Sequence, residues 1–275
     1  MTYHIENTDP ANWKVGTYWD VSEGIDLADL KSADLDCVEL TLRCESPRQV
    51  ESVRQEYEMV VEQIRKFGLE LWSVHIPFGQ EWDISTIDVS QRRLIVDAIA
   101  KLIEIAAEWH PKHAIIHPSF EPIPSEEREE RIDACRESLR ELSEFSISKG
   151  IRLAAECLPR TCLANDSKEL LALISDSPEC GVCCDVNHLF LESPEDFIRK
   201  LGNRITTLHI SDNDGMDEKH WIPGEGVIQW PEVVRALVEI GYNGTFLFEA
   251  NYSEARELMN CYNYLLNISS GKDLS

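Results

Sequence analysis

Eight short apolar runs, each followed by a helical pattern, constrain this chain more than any other feature. The runs are KVGTY (14–18), CVELTL (37–42), LELWSVH (69–75), HAIIH (113–117), RLAAE (152–156), GVCCD (181–185), ITTLHI (205–210) and TFLFE (245–249). Apolar and polar residues do not alternate along them. That is the pattern of parallel strands buried on both faces.

The segments between the runs carry helix punctuation. Ser46-Pro47-Arg48-Gln49 reads as a capping box with proline at the first helical position. Val50, Val53, Tyr57, Val60, Val61 and Ile64 then form one apolar stripe, and Phe67-Gly68 ends it. Further helices are expected from about Ser90, from Ser125 to near Gly150, after Asp166 with Glu169, and after Ser193-Pro194. Gly202 and Gly241 close two of them, and the last runs over 253–266. Eight strands alternating with helices predict an α/β protein with a parallel sheet. Closure into a single (β/α)8 TIM barrel, residues 1–275, suits the length, since such barrels take about 250 residues. An open doubly wound sheet would place a glycine-rich loop after the first strand, and Tyr18-Trp19-Asp20 is not one.

Composition narrows the partners. The 26 basic and 50 acidic residues give a net charge of −24. Nucleic-acid binding draws on Lys and Arg at phosphates, and anionic membranes attract basic segments, so neither partner is expected. The nine cysteines are an odd number, and Cys180-x-x-Cys183 has no second pair. The start, MTYHIENTDPANW, lacks a basic region and an apolar stretch, and no run nears the roughly 18 apolar residues of a membrane span. The expectation is a soluble cytoplasmic protein with structural, reduced cysteines. A homo-oligomer is compatible with the sequence.

In a barrel, the C-terminal ends of the strands build the active site. Here the second run carries Glu39, the third ends in His75 and the fourth in His117. The fifth ends in Glu156 and the sixth in Asp185, with His188 three residues on. The seventh carries His209, followed by Asp212, and the eighth ends in Glu249. Five of the eight histidines lie at or just beyond these ends, counting His220. Ionisable groups buried at strand ends are costly unless paired or bound to metal. Carboxylates and imidazoles converging on one mouth suit a divalent ion: Mn²⁺, Co²⁺, Mg²⁺ or Zn²⁺.

From these residues the sequence resembles the sugar phosphate isomerase/epimerase superfamily. These are the xylose isomerase-like TIM barrels of AP endonuclease family 2, which also include endonuclease IV. The resemblance runs over nearly the whole chain, through SVHIPF (73–78), IIHPSF (115–120), AAECLP (154–159), CDVNH (184–188), LHISDND (208–214), HWIPGEG (220–226) and FEA (248–250). It implies one divalent metal ion held by Glu156, Asp185, His209 and Glu249, with His188 beside it on substrate oxygens. In the endonuclease branch, the positions matching His75, His117, His188 and His220 complete a three-zinc cluster. That branch has Asp two residues before its His220 position, where this chain has Glu218.

The resemblance implies an isomerase of the sugar isomerase/epimerase type, acting on a small sugar, polyol or related hydroxy-ketone. Glu156 and Glu249 are the expected bases, abstracting an α-proton to give a cis-enediolate on the metal. His188, His75, His117, Glu39 and His220 are expected to bind substrate, with Trp19 and Trp221 offering rings for a sugar C–H face. Competing readings are a metal-dependent lyase or dehydratase, a three-zinc DNA repair endonuclease, and a silent sugar-binding barrel. Arg43, Lys219 and Arg160 are the cations near the mouth, but none sits in a phosphate motif, which favours a non-phosphorylated sugar. The strand-7 loop carries Asp212, Asp214, Asp217 and Glu218 against Lys219 and would meet a DNA backbone with net negative charge. Metal-loaded protein is therefore expected not to incise an abasic duplex at physiological salt; robust incision lost in Glu156→Gln would overturn the sugar reading.

Overall fold

The computed structural model describes residues 9–24 and 26–269. Residues 1–8 and 270–275, the two ends of the expected domain, lie outside them. The strands and helices in chain order are β1 (Lys14–Trp19), α1 (Leu27–Ser32), β2 (Cys37–Thr41), α2 (Glu51–Lys66), β3 (Glu70–His75) and α3 (Val89–Ala107). Then come β4 (His113–Ile116), α4 (Arg128–Ser148), β5 (Arg152–Glu156), α5 (Ser167–Leu173), β6 (Gly181–Asp185) and α6 (Pro194–Leu201). The chain continues through β7 (Ile205–His209), β8 (Asp212–Asn213), β9 (Glu218–Trp221), α7 (Trp230–Glu239), β10 (Thr245–Phe248) and α8 (Ala255–Ser269).

Eight parallel strands run in the order β10-β1-β2-β3-β4-β5-β6-β7. The ring closes where Ile210 N–H donates to Leu247 O at 2.9 Å and Glu249 N–H donates to Ile210 O at 3.0 Å. This is the expected TIM barrel, with every predicted run within one residue of an observed strand. Two layers of apolar side chains hold it. The larger, from Trp13 to Leu265, lies between the strands and the helices, and Ile115, Ala154 and Cys183 form a small separate cluster. The separate cluster fits the barrel interior, because Ala154 and Cys183 lie two residues before Glu156 and Asp185 and so share their face.

Several boundaries differ from the sequence reading. The Ser46 hydroxyl does accept from Arg48 N–H, at 3.4 Å, but it opens a 3-10 turn over Pro47–Gln49, and α2 begins only at Glu51. The long acidic helix starts at Arg128 rather than Ser125, and the last extends to Ser269. The caps at Asp166 and Ser193 are as expected, accepting from Glu169 N–H at 2.7 Å and Asp196 N–H at 3.4 Å.

The largest difference lies after β7. The segment read as a polar loop contains an antiparallel hairpin, in which Asp212 pairs with Trp221 and Asn213 with Glu218. Asp212 is fully buried and organises it. Its Oδ1 accepts from Asn213 N–H at 2.9 Å and Ile228 N–H at 3.2 Å, and its Oδ2 accepts from Gly224 N–H and Trp230 Nε1–H, both at 2.8 Å. The Gly-x-Gly turn has the same origin. Gly224 has φ +101°, and a Cβ on Gly226 would lie 2.1 Å from Asn213 O and 2.3 Å from Asp212 Oδ1. Replacing Asp212 by Asn turns an NH2 group toward donors that need an acceptor. Each buried group left unsatisfied costs about 1–3 kcal/mol, so Asp212→Asn is expected to lower stability by at least that much in urea unfolding; an unchanged midpoint would show that the loop does not depend on this carboxylate.

Candidate metal centre

Glu156 ends β5, Asp185 ends β6, His209 ends β7 and Glu249 follows β10. One donor atom from each lies within 4.8 Å of every other. A divalent ion with ligand distances of roughly 2.0–2.6 Å spans such a set.

The donors do not satisfy one another. His209 Nδ1 lies 2.8 Å from Glu249 Oε2 and 3.4 Å from Glu156 Oε1. Yet Asp185 Oδ2, His209 Nδ1 and Glu249 Oε2 are buried atoms with no aligned hydrogen bond. Buried polar atoms are nearly always bonded. Three orphaned acceptor or ligand atoms facing one another are the arrangement a dication satisfies, so these residues fit the ion the family implies.

Electrostatics agree. Burial pushes the Asp185 carboxyl up to about 7, opposed by His188 and helped by Glu249 and Glu156. Burial also pushes Glu156 and Glu249 up, but charge from His209 outweighs it, with His117 adding to the effect on Glu156. Glu156 is held well below the usual carboxylate range and Glu249 at about 2. Burial lowers the His209 imidazole, whereas Cys183, Glu249, Glu39 and Glu156 raise it well above its ordinary value.

Glu39 lies behind this cluster. It is 1% exposed; its Oε1 accepts from His209 Nε2–H at 2.8 Å and its Oε2 from Ser73 Oγ–H at 2.6 Å. With both oxygens engaged, it orients the His209 ring and leaves Nδ1 toward the other donors. This corrects its expected place on the substrate wall.

The histidines divide into two sets. His75 Nε2 and His117 Nε2 lie 3.2 and 3.3 Å from Glu156 Oε2, and these three residues form a second donor group within 4.8 Å. Phe78 stacks on His117 at 4.5 Å between ring centroids. His188 donates from Nδ1 to Cys157 O at 3.0 Å and from Nε2 to Glu218 Oε2 at 3.0 Å. Burial lowers His188, but Asp185, Glu218 and Glu156 hold it well above its ordinary value. His220 donates from Nδ1 to Glu249 O at 2.9 Å, tying the hairpin to the end of β10.

The aromatic expectations fare differently. Trp19 is packed into the main core and is not an open platform, whereas Trp221, on β9, is 37% exposed. The candidate phosphate-binding cations are all paired: Arg43 with Asp20, Lys219 with Asp214, and Arg160 with Glu121, Asp217 and Glu218. Sequence reasoning missed this Arg160 crosslink. It joins the loops after β4 and β5 to the hairpin, from a residue at φ +53°. Phe78, His117, Arg160, His188 and Glu218 help line a cavity of about 150 Å³ beside the cluster, and Arg160, Glu218 and His220 border a wider opening of about 540 Å³. All nine cysteines are free thiols, and no helix among the described residues is long and apolar enough to cross a membrane.

A barrel with this donor set defines a class that comparison with known proteins identifies. The sequence profile of the xylose isomerase-like TIM barrel family matches residues 27–263. The chain belongs to that family. It is 29% identical to the fructoselysine 3-epimerase of Shigella flexneri over 176 residues, 60% of this chain and 62% of that one. It is 32% identical to an uncharacterised protein of Methanocaldococcus jannaschii over 185 residues, 64% of this chain and 63% of that one. The match thus spans a little over three-fifths of the length of these relatives. Among solved structures, a D-tagatose 3-epimerase-like protein superimposes with a TM-score of 0.77 at 26% identity, covering 94% of this chain and 99% of that one.

Metal affinity should report the Glu39 support and the proton competition. Losing a partner behind a ligand typically costs 10–100-fold in affinity, so Glu39→Gln is expected to weaken Mn²⁺ binding by about that factor in calorimetry. Protons on Asp185 and His209 compete with the ion. Affinity should therefore rise with pH through 7, about tenfold per unit for each proton displaced; a flat profile would remove these two groups from the ligand set.

Proposed function

We propose that this chain is a metal-dependent sugar epimerase that inverts the carbon beside the carbonyl of a ketose through a cis-enediolate. The observation that carries this reading is the convergence of Glu156 and Glu249, from β5 and the end of β10, on one donor cluster at the barrel mouth. The relatives named as 3-epimerases support it. A divalent ion held by Glu156, Asp185, His209 and Glu249 would polarise the substrate carbonyl as a Lewis acid.

The chain's own groups supply the proton chemistry. Epimerisation needs a base on one face of the carbon and an acid on the other. Of Glu156 and Glu249, the one that enters the step as a carboxylate accepts the α-proton. The opposite carboxylate, loaded with a proton from solvent, returns one to the other face. Proton count balances: one leaves carbon, and one arrives with inverted configuration. His188 donates from both ring nitrogens, to Cys157 O and to Glu218 Oε2, so it would hold a substrate oxygen only by exchanging its Glu218 bond for it. The β8–β9 hairpin, pinned by Asp212 and Arg160, is tied to the site through His220 on Glu249 O and Glu218 on His188.

The substrate fits best as an uncharged sugar. Arg43, Arg160 and Lys219 are each already neutralised by carboxylates. A phosphate would have to displace them against a net charge of −24. Nucleic acid is disfavoured on the same ground.

Incubation with Mn²⁺ and an uncharged ketose such as D-psicose in D2O tests the reading. The product should keep the substrate's heavy-atom composition and carry one deuterium at the inverted carbon. Glu156→Gln and Glu249→Gln should each lower turnover by a factor on the order of 10²–10⁴. Solvent exchange at full rate in both variants, or a dehydrated product, would overturn the mechanism.

A further inference from the structure

Among Cys157, Cys180, Cys183 and Cys184, Cys183 alone does not join the outer core. Cys157, Cys180 and Cys184 belong to the layer between strands and helices, whereas Cys183 clusters with Ile115 and Ala154. It lies two residues before Asp185 on β6, and its backbone partner on β5 is Glu156. The same face of β6 thus presents a carboxylate at the mouth and a thiol one layer deeper. The Cys183 sulfur, a Glu156 oxygen and a His209 ring nitrogen all lie within 4.8 Å of one another, and all three residues are fully buried. Asp185 and Glu249 fall outside this group. His209 Nδ1 is fully buried and has no aligned hydrogen bond, with Glu249 Oε2 at 2.8 Å beside it.

We propose that Glu156, Cys183 and His209 form a second ion position beneath the oxygen-rich one, and that it captures soft divalent cations such as Zn²⁺ and Cd²⁺. The proposal rests on the reading of Glu156 and His209 as ion ligands. Thiolate donors favour soft ions, and carboxylate donors favour Mg²⁺ and Mn²⁺. The two positions share Glu156 and His209, so one ion excludes the other. A soft ion bonds to the Cys183 sulfur, the thiol proton passes to buffer, and the ion is drawn below Asp185 and Glu249, away from substrate. Hard ions then support the reaction and soft ions block it.

Metal-free protein is titrated with Cd²⁺ and with Co²⁺ while sulfur-to-metal charge-transfer absorption is recorded in the ultraviolet. One ion per chain should bind with a charge-transfer band. The band should vanish in Cys183→Ser and Cys183→Ala and persist in Cys162→Ser, while Mn²⁺ binding followed by electron paramagnetic resonance survives in all three. Cd²⁺ affinity should fall at least about tenfold in Cys183→Ser, the loss of one soft ligand. Binding of Cd²⁺ by the wild-type protein without a charge-transfer band overturns the proposal and leaves the four-ligand centre standing. That result needs no variant to fold. A band that survives Cys183→Ser also overturns it. Failure of the wild-type protein to bind either Mn²⁺ or Cd²⁺ overturns the four-ligand reading and this one with it.

Discussion

Three carboxylates and an imidazole are held together at the end of a closed apolar barrel, and the architecture of the mouth follows from making that arrangement tolerable. Removing such groups from water costs several kcal/mol each unless opposite charge and hydrogen bonds replace the lost solvation. The barrel supplies part of the compensation. Glu39 takes one nitrogen of His209, Ser73 takes the other oxygen of Glu39, and Asn187 N–H donates to Asp185 Oδ1 at 2.7 Å. What these bonds leave over is a set of unpaired atoms facing one another. A divalent cation is the kind of group that would satisfy them.

The same economy governs the loops. An excess of acidic residues gives this chain many acceptors, and it spends them on backbone N–H groups and on arginine. Asp212 alone collects three backbone donors and an indole, which folds the segment after β7 back on itself. Glu218 receives His188 on one side and Arg160 on the other. The mouth is thus crosslinked through β4, β5, β6 and the hairpin, with the site below it. Charge that looks repulsive in the sequence proves locally paired in space.

Strand order and helix positions were legible because they rest on local periodicity. An unalternating apolar run can be read from five residues, and the rule that barrel chemistry sits at strand ends then points to Glu156, Asp185, His209 and Glu249. The hairpin was not legible. Its two strands are two and four residues long, too short for a period, and its fold depends on Asp212 reaching residues up to eighteen positions away. Arg160 was legible only as a cation near the mouth, because nothing nearby in sequence shows its partners Glu121, Asp217 and Glu218.

By itself, the sequence determined the barrel and the residues that reach its mouth. Each strand's burial is a property of its own side chains, and chain order decides which end they occupy. Tertiary structure decided what those residues do to one another. Glu39 and His209 are 170 residues apart, and only the closed ring makes one the support of the other. Cys183 and Asp185 differ by two positions, and only the barrel's inner layering turns that spacing into depth. Periodicity is set along the chain over a few residues, whereas coordination and pairing are set across the barrel, over distances that only closure of the ring brings within a few ångströms.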